Sequence, residues 1–301
     1  SSRSQGLRLP FSGQQLPVEV LGPDSFAGMQ IAFFAPGAAV SRSFAPQAAA
    51  AGCVVIDKSS AHRTDPEIPL VVPEVNAGDL ADYKRKHIIS CPNCSTIPLV
   101  MALGPIDRAA GIERVVVSTY QSVSGAGRQG IDELKQQIHD LEAGQAVRPR
   151  CFSKQIAYNV VPHIDTFEPD GYTKEEHKTI NESRRILHLP ELRLTATTVR
   201  VPVWRGHSLS VNVETARRLD PAEARELLSK APGVKVVDDP RSLSFPTALD
   251  AAGGDLTLVG RIRKDPSVEH GLDLWLVADN LRKGAALNAV QIAEELIEKH
   301  L

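Results

Sequence analysis

Apolar residues fall in short blocks whose spacing alternates between strand and helix patterns. Val18–Val20 reads as a short strand. Ile31–Ala35 is a continuous apolar run closed by Pro36-Gly37, the pattern of a strand buried on both faces. The next segment, Ala38–Ala51, is rich in small residues and stops at Gly52, a residue suited to ending a helix. Val54–Ile56 is a second buried run, ending in Asp57. Strand, helix and strand within about 27 residues predict a βα unit of a parallel sheet. Asp65-Pro66, Pro69 and Pro73 punctuate a loop, and Ile88–Ser90 is a further short strand. Val115–Tyr120 predicts a strand and Ile131–Leu141 a helix, while Asp255–Arg263 and Gly271–Asp279 predict two antiparallel strands. Ala285–Leu301 predicts an amphipathic helix with Leu287, Val290, Ile297 and Leu301 on one face.

Composition narrows the class. With 301 residues the chain has room for about two domains. Apolar residues make up 42% and charged residues 23%, ordinary globular usage that argues against disorder. Lys+Arg 34 against Asp+Glu 36 leaves a formal charge of −2, so neither nucleic acid nor an anionic membrane surface is an expected partner. The longest apolar stretches, about eight residues, are too short to span a bilayer. Four cysteines, Cys53, Cys91, Cys94 and Cys151, do not read as a disulfide framework in a chain of this length. The expectation is a soluble, cytoplasmic α/β protein of two domains.

Several segments carry candidate chemistry. Gly125-Ala-Gly127-Arg-Gln-Gly130 fits G-x-G-x-x-G between a strand and a helix, the form of a dinucleotide fingerprint. The βα units lie upstream of it and no acid follows a second strand, so a plain glycine-rich turn stays equally open. In Cys91-Pro92-Asn93-Cys94-Ser95-Thr96, Asn93 or Ser95 can cap the helix that Ile97–Leu103 begins, which leaves Cys94 where a helix dipole favours a thiolate. An inert buried cysteine is the alternative. Cys91-x-x-Cys94 lacks the two further ligands that zinc requires. His207 follows Arg200 by 7 residues, and only a bend at Pro202 and Gly206 lets the two serve one site. Thr173 and Glu176 form a capping box, and Glu175 and Lys178 share a helix face as either a solvated ion pair or a grip for a charged substrate.

Taken together, five segments resemble the aspartate-β-semialdehyde dehydrogenases. They are Cys91-Pro-Asn-Cys-Ser-Thr-Ile97, Ser118-Thr-Tyr-Gln-Ser-Val-Ser-Gly-Ala-Gly127, Tyr158-Asn-Val-Val-Pro-His-Ile-Asp165, Val199-Arg-Val-Pro-Val-Trp-Arg-Gly-His207 and Lys283-Gly-Ala-Ala-Leu-Asn-Ala-Val-Gln-Ile-Ala293, in the family's order. The resemblance implies NADPH-dependent reductive dephosphorylation of L-aspartyl 4-phosphate to L-aspartate 4-semialdehyde through an acyl thioester on Cys94. It implies His207 as acid/base partner, Asn93 beside the oxyanion and Gln121 orienting the acyl group. Arg200 would clamp the substrate carboxylate, Glu175 would take its ammonium, and Arg63 and Lys178 would hold the phosphate. For NADP(H), the resemblance implies Ser1, Arg3 and Ser4 at the adenosine 2′-phosphate, with Ser124, Gly125 and Asn280 near the nicotinamide.

The fold so implied is a Rossmann-type parallel-sheet domain over 1–93, completed by a helix over 282–301, plus an α+β catalytic and dimerisation domain over 94–281. A homodimer is expected, with tetramers as a further option. The family begins with a strand and a G-x-x-G-x-x-G turn that are not found ahead of Ser1, so the parallel-sheet domain is expected to be incomplete at its N-terminus. If nothing precedes Ser1, weak NADPH affinity and poor turnover are expected; a sequence cut short at its start is the other expectation. Two alternatives remain: a non-catalytic dimerising relative that has lost its cofactor, and a reductase of N-acetylglutamyl phosphate. An N-acetylated substrate offers Glu175 no ammonium, which favours the free amino acid.

Overall fold

A computed structural model describes residues 4–301. In chain order its elements are β1 (Arg8–Phe11), β2 (Gln14–Pro17), β3 (Ile31–Phe34), α1 (Ala38–Ala50), β4 (Val54–Asp57), α2 (Pro73–Asn76) and β5 (Ile88–Ser90). They continue with α3 (Thr96–Ala110), β6 (Ile112–Gln121), α4 (Gly127–Glu142), α5 (Lys174–Ile186), β7 (Arg193–Arg200) and β8 (His207–Thr215). The last are α6 (Pro221–Ser229), β9 (Val234–Val236), α7 (Ala248–Ala251), β10 (Thr257–Lys264), β11 (Gly271–Ala278) and α8 (Leu287–Lys299).

The parallel unit read from the apolar runs forms as expected: β3, β4 and β5 make a parallel sheet in that order. All of β4 is buried because both its faces are covered. Val55 packs with Phe34, Ala45 and Ala48 on the α1 side. Val54 and Ile56 pack with Ala289, Ile292, Ala293 and Leu296 of α8. The last helix of the chain therefore closes the first sheet.

Two expectations need correction. Val18–Val20 is not a strand; an antiparallel hairpin of β1 and β2 precedes it. Ser12 and Gly13 both take left-handed backbone (φ 46° and 77°), the geometry of a tight two-residue turn. Both strands are exposed throughout, so no in–out alternation marked them. In α8 the expected apolar face is also wrong, since Val290, Ile297 and Leu301 are exposed. The buried stripe is Ala289, Ile292, Ala293 and Leu296, where small side chains let the helix lie close to β4.

The second sheet runs β7-β6-β8-β11-β10-β9. One face packs on α3, which is buried along nearly its whole length against that sheet and the helices α2, α5 and α6. Each fully buried Leu or Ile there contributes about 1.5–3 kcal/mol by removal from water. The strands β10 and β11 pair antiparallel as expected, starting at Thr257 and Gly271. Strand direction places the chemistry: β6 and β7 are parallel and β8 is antiparallel to β6. The ends of β6 and β7 and the start of β8 therefore meet at one edge, with Gln121, Arg200 and His207 side by side.

Candidate active site

Cys94 lies two residues ahead of α3, with Ser95 as the cap between them. The Asn93 side-chain carbonyl accepts from the Ser95 N–H (2.9 Å) and hydroxyl (2.8 Å), and the Asn93 backbone carbonyl accepts from the Ile97 N–H (3.1 Å). These bonds set the turn that presents the sulfur at the N-terminal end of a 15-residue helix. Cys94 Sγ lies 3.3 Å from His207 Nε2. The bend expected between Arg200 and His207 is present and tied down. The Val201 N–H donates to Gln121, the Val123 N–H to Val203 and the Ser124 N–H to Trp204, and Gly206 turns the chain with φ 91°.

The imidazole is fixed from behind. The Ser122 backbone N–H lies 3.1 Å from His207 Nδ1 and donates to it in the tautomer protonated on Nε2. The Ser122 hydroxyl lies at the same distance and accepts from Nδ1 in the other tautomer, whose Nε2 lone pair faces the sulfur and can take its proton. Burial and the Arg200 guanidinium push the His207 pKa down to about 3, so the ring is neutral at rest. Burial and the Glu175 carboxylate push the Cys94 thiol up to about 12, while Arg200 and Arg63 pull the other way. Thiol and imidazole are therefore both uncharged before a ligand arrives.

A cavity of about 360 Å³ opens over the sulfur, lined among others by Arg63, Gln121, Glu175, Lys178 and Arg200. Glu175 is buried and accepts from Asn93 Nδ2 (3.0 Å), Gln121 Nε2 (3.2 Å) and Lys178 Nζ (3.1 Å). Of the two readings of Glu175 and Lys178, a solvated pair is therefore wrong for the carboxylate. The capping box of Thr173 and Glu176 forms, which fixes the first turn of α5. Burial pulls the Lys178 ammonium down, and Glu175 with Asp165 (2.7 Å) more than offsets it, so Lys178 stays charged. Arg200 donates to the Ser122 carbonyl at 2.7 Å, and its guanidinium lies over the Phe152 ring at 5.8 Å. Arg63 donates to Glu182 and to the Lys58 carbonyl, both at 3.0 Å.

The G-x-G-x-x-G stretch has a packing role. A Cβ on Gly125 would stand 2.8 Å from Arg200 Nη1 and 3.3 Å from the His207 ring. Gly127 takes φ 75°, and a Cβ on Gly130 would lie 2.5 Å from the Val123 carbonyl and 3.1 Å from Phe152. The glycines let this loop press against the arginine and the histidine. Gly125→Ala should lower kcat/KM by about a hundredfold, since near-ångström misplacement of reacting groups has that effect. Steady-state kinetics on a variant whose melting temperature is unchanged checks this; unaltered kinetics would refute it.

Ser124 and Asn280 form a buried cluster behind His207. Asn280 Oδ1 accepts from the hydroxyls of Ser122 and Ser124 (both 3.2 Å) and from the Gly206 N–H (3.0 Å). Ser4 lies ahead of β1, its carbonyl accepting the Leu7 N–H, and no hydrogen bond links it to the Cys94 cavity. Ser1 and Arg3 fall outside the described residues. Sequence reasoning missed Ser122, Phe152 and Glu182. For Glu182 a signal existed: Glu175, Lys178 and Glu182 follow i, i+3, i+7 spacing along one helix face.

Comparison with known proteins agrees with this geometry. Residues 1–83 match the family model "Semialdehyde dehydrogenase, NAD binding domain", and residues 103–283 match "Semialdehyde dehydrogenase, dimerisation domain". The aspartate-semialdehyde dehydrogenase of Aquifex aeolicus is 52% identical over 303 residues, covering 100% of this chain and 89% of that protein. That of Bacillus subtilis is 46% identical over 309 residues, with the same coverage. The structure of Vibrio cholerae aspartate semialdehyde dehydrogenase II complexed with ASA superposes with TM-score 0.97 at 46% identity, over 100% of this chain and 89% of that one. The Candida albicans enzyme with NADP superposes with TM-score 0.77 at 25% identity, over 99% and 89%. With Cys94 and two arginines lining one cavity, His207 at 3.3 Å from the sulfur, and a match over 100% of the chain at this identity, the chain belongs to the aspartate-semialdehyde dehydrogenase family.

Proposed function

We propose that this protein reduces L-aspartyl 4-phosphate to L-aspartate 4-semialdehyde with release of phosphate, using NADPH, in lysine (diaminopimelate), threonine and methionine biosynthesis. The observation that carries the reading is the 3.3 Å Cys94–His207 contact inside a cavity that also holds Arg200, Glu175, Arg63 and Lys178. The thiol proton passes to His207 Nε2 as the sulfur attacks the acyl carbon; the C–S bond forms and the bond to the phosphate oxygen breaks. The charged ring then keeps its second proton on Nδ1, within reach of the Ser122 hydroxyl. His207 returns the proton when the sulfur is released.

Asn93 has two side-chain N–H groups and directs one at Glu175, which leaves one for the oxyanion. Gln121 is braced by Thr119 (3.1 Å) and orients the acyl group. Arg200 takes the α-carboxylate, Glu175 the ammonium, and Arg63 with Lys178 the phosphoryl group. NADP(H), when bound, supplies or takes the hydride. The donor set fits its carboxamide, because Asn280 Nδ2 donates to Ser124 (3.0 Å) with one N–H to spare, next to Gly125. Ser4, Ser1 and Arg3 are proposed for the 2′-phosphate on the family resemblance alone.

The nucleotide-binding part is assigned to 1–93 with 282–301 and the catalytic part to 94–281, a division supported by the packing of α8 on β4. A cytoplasmic homodimer fits the dimerisation-domain match; among the described residues no helix is long and apolar enough to cross a membrane. The test follows NADP reduction with L-aspartate 4-semialdehyde, with and without inorganic phosphate. Reduction should require phosphate. Phosphate-independent turnover, or preference for the N-acetylglutamyl analogue, overturns the reading.

A further inference from the structure

One buried carboxylate, behind the residues that line the Cys94 cavity, has no part in the chemistry above. Glu182 sits two helical turns beyond Glu175 on α5 and is only 4% exposed. Its Oε1 accepts from Arg63 Nη1 at 3.0 Å, and its Oε2 accepts from the Asn93 backbone N–H at 2.5 Å. The carboxylate thus joins three pieces of chain: the loop after β4, the turn carrying Cys94, and the substrate helix.

Arg63 depends on this contact. It is nearly buried, and burial pulls its guanidinium down while the Glu182 carboxylate more than compensates. Nη2 is engaged by the Lys58 carbonyl, and Nε is buried with no partner among the described residues. Two of its nitrogens are therefore tied to protein, and Nε–H remains without an acceptor. A doubly charged phosphoryl oxygen cluster is the acceptor such a donor suits.

We propose that Glu182 is a positioning residue, which holds the Arg63 guanidinium toward the phosphoryl end of the Cys94 cavity and ties it to the turn bearing the nucleophile. This rests on the assignment of Arg63 to phosphate. A carboxylate is needed because both neighbours are donors. An amide has a single acceptor oxygen, so Glu182→Gln satisfies either Arg63 or the Asn93 N–H and turns an N–H toward the other.

The test reads phosphate binding without turnover. Iodoacetamide alkylation of Cys94 is followed by mass spectrometry while inorganic phosphate is titrated, and the half-protecting concentration is recorded. Glu182→Gln should raise that concentration about tenfold or more, the scale of one lost charge-assisted hydrogen bond. In an Arg63→Ala background Glu182→Gln should add nothing further, because the effect acts through the guanidinium. In steady state the KM for phosphate should rise by a similar factor while that for the semialdehyde moves less than about twofold. Should the glutamine variant fail to fold, Glu182→Asp keeps the charge on a shorter stem and should show a smaller rise in the same concentration.

Unchanged half-protection in a folded variant overturns the proposal, as does an equal shift in the Arg63→Ala background. Phosphate that fails to protect the wild type also overturns it. A wild type that phosphate protects but that does not reduce NADP sinks the proposed reaction alone, with the Glu182 comparison still readable.

Discussion

Cys94→Ser should lower phosphate-dependent NADP reduction by about 10⁴-fold or more, because the covalent route has no substitute nucleophile in the cavity. The change is nearly isosteric, so the fold should persist and the His207 ring should keep its bond from the Ser122 N–H. A hydroxyl is far harder to deprotonate than a thiol, and a neutral imidazole whose pKa is pushed down to about 3 cannot make up the difference. Intact mass after incubation with semialdehyde and NADP, phosphate withheld so that the thioester is not cleaved, should show an acyl adduct on the wild type and none on the variant. Retention of a tenth of wild-type activity would remove the sulfur from the mechanism. The same geometry sets a pH dependence. With the free thiol pushed up to about 12, the thiolate fraction grows with every unit of pH in the neutral range. The alkylation rate of ligand-free protein should therefore keep climbing through pH 9; a plateau near pH 7 would show a pre-formed thiolate.

Arg200→Lys should cost about a thousandfold in kcat/KM for the semialdehyde, roughly 4 kcal/mol, although the charge is kept. Arg200 is 6% exposed, donates to the Ser122 carbonyl and lies 5.8 Å over the Phe152 ring, so its remaining N–H edge is held for a carboxylate. A lysine ammonium offers no fork and leaves the Ser122 carbonyl without its donor. Because Ser122 also holds His207, both kcat and KM should move. Kinetics with each substrate varied in turn check the assignment. A loss confined to phosphate would place Arg200 at the wrong end of the substrate.

Several features were open to reading from local pattern because local physics decides them. Val54–Ile56 is apolar at every position, as a strand covered on both faces must be, and β4 is buried throughout. Thr173 and Glu176 stand at capping-box spacing, and the box depends only on four consecutive residues. The bend at Pro202 and Gly206 follows from two residues with restricted or permissive backbone. The exposed hairpin at Arg8–Pro17 gave no such signal, since neither face is buried. The stripe on α8 was misjudged for the opposite reason: the close approach to β4 selects Ala289 and Ala293 over larger apolar residues.

Residue type and order alone determined the parallel unit, the helix that starts behind Cys94, the capped start of α5 and the family resemblance on which each site assignment rested. Only the tertiary structure decided that Cys94 and His207, 113 residues apart, meet at 3.3 Å. It also decided that Glu175 is buried among donors and that Gly125 and Gly130 make room for Arg200, His207 and Phe152. The reason is strand direction. Antiparallel pairing of β8 with β6, and parallel pairing of β7, brings Gln121 at the end of β6 to Arg200 and His207, about 80 residues later in the chain, and no spacing within a single segment encodes that meeting.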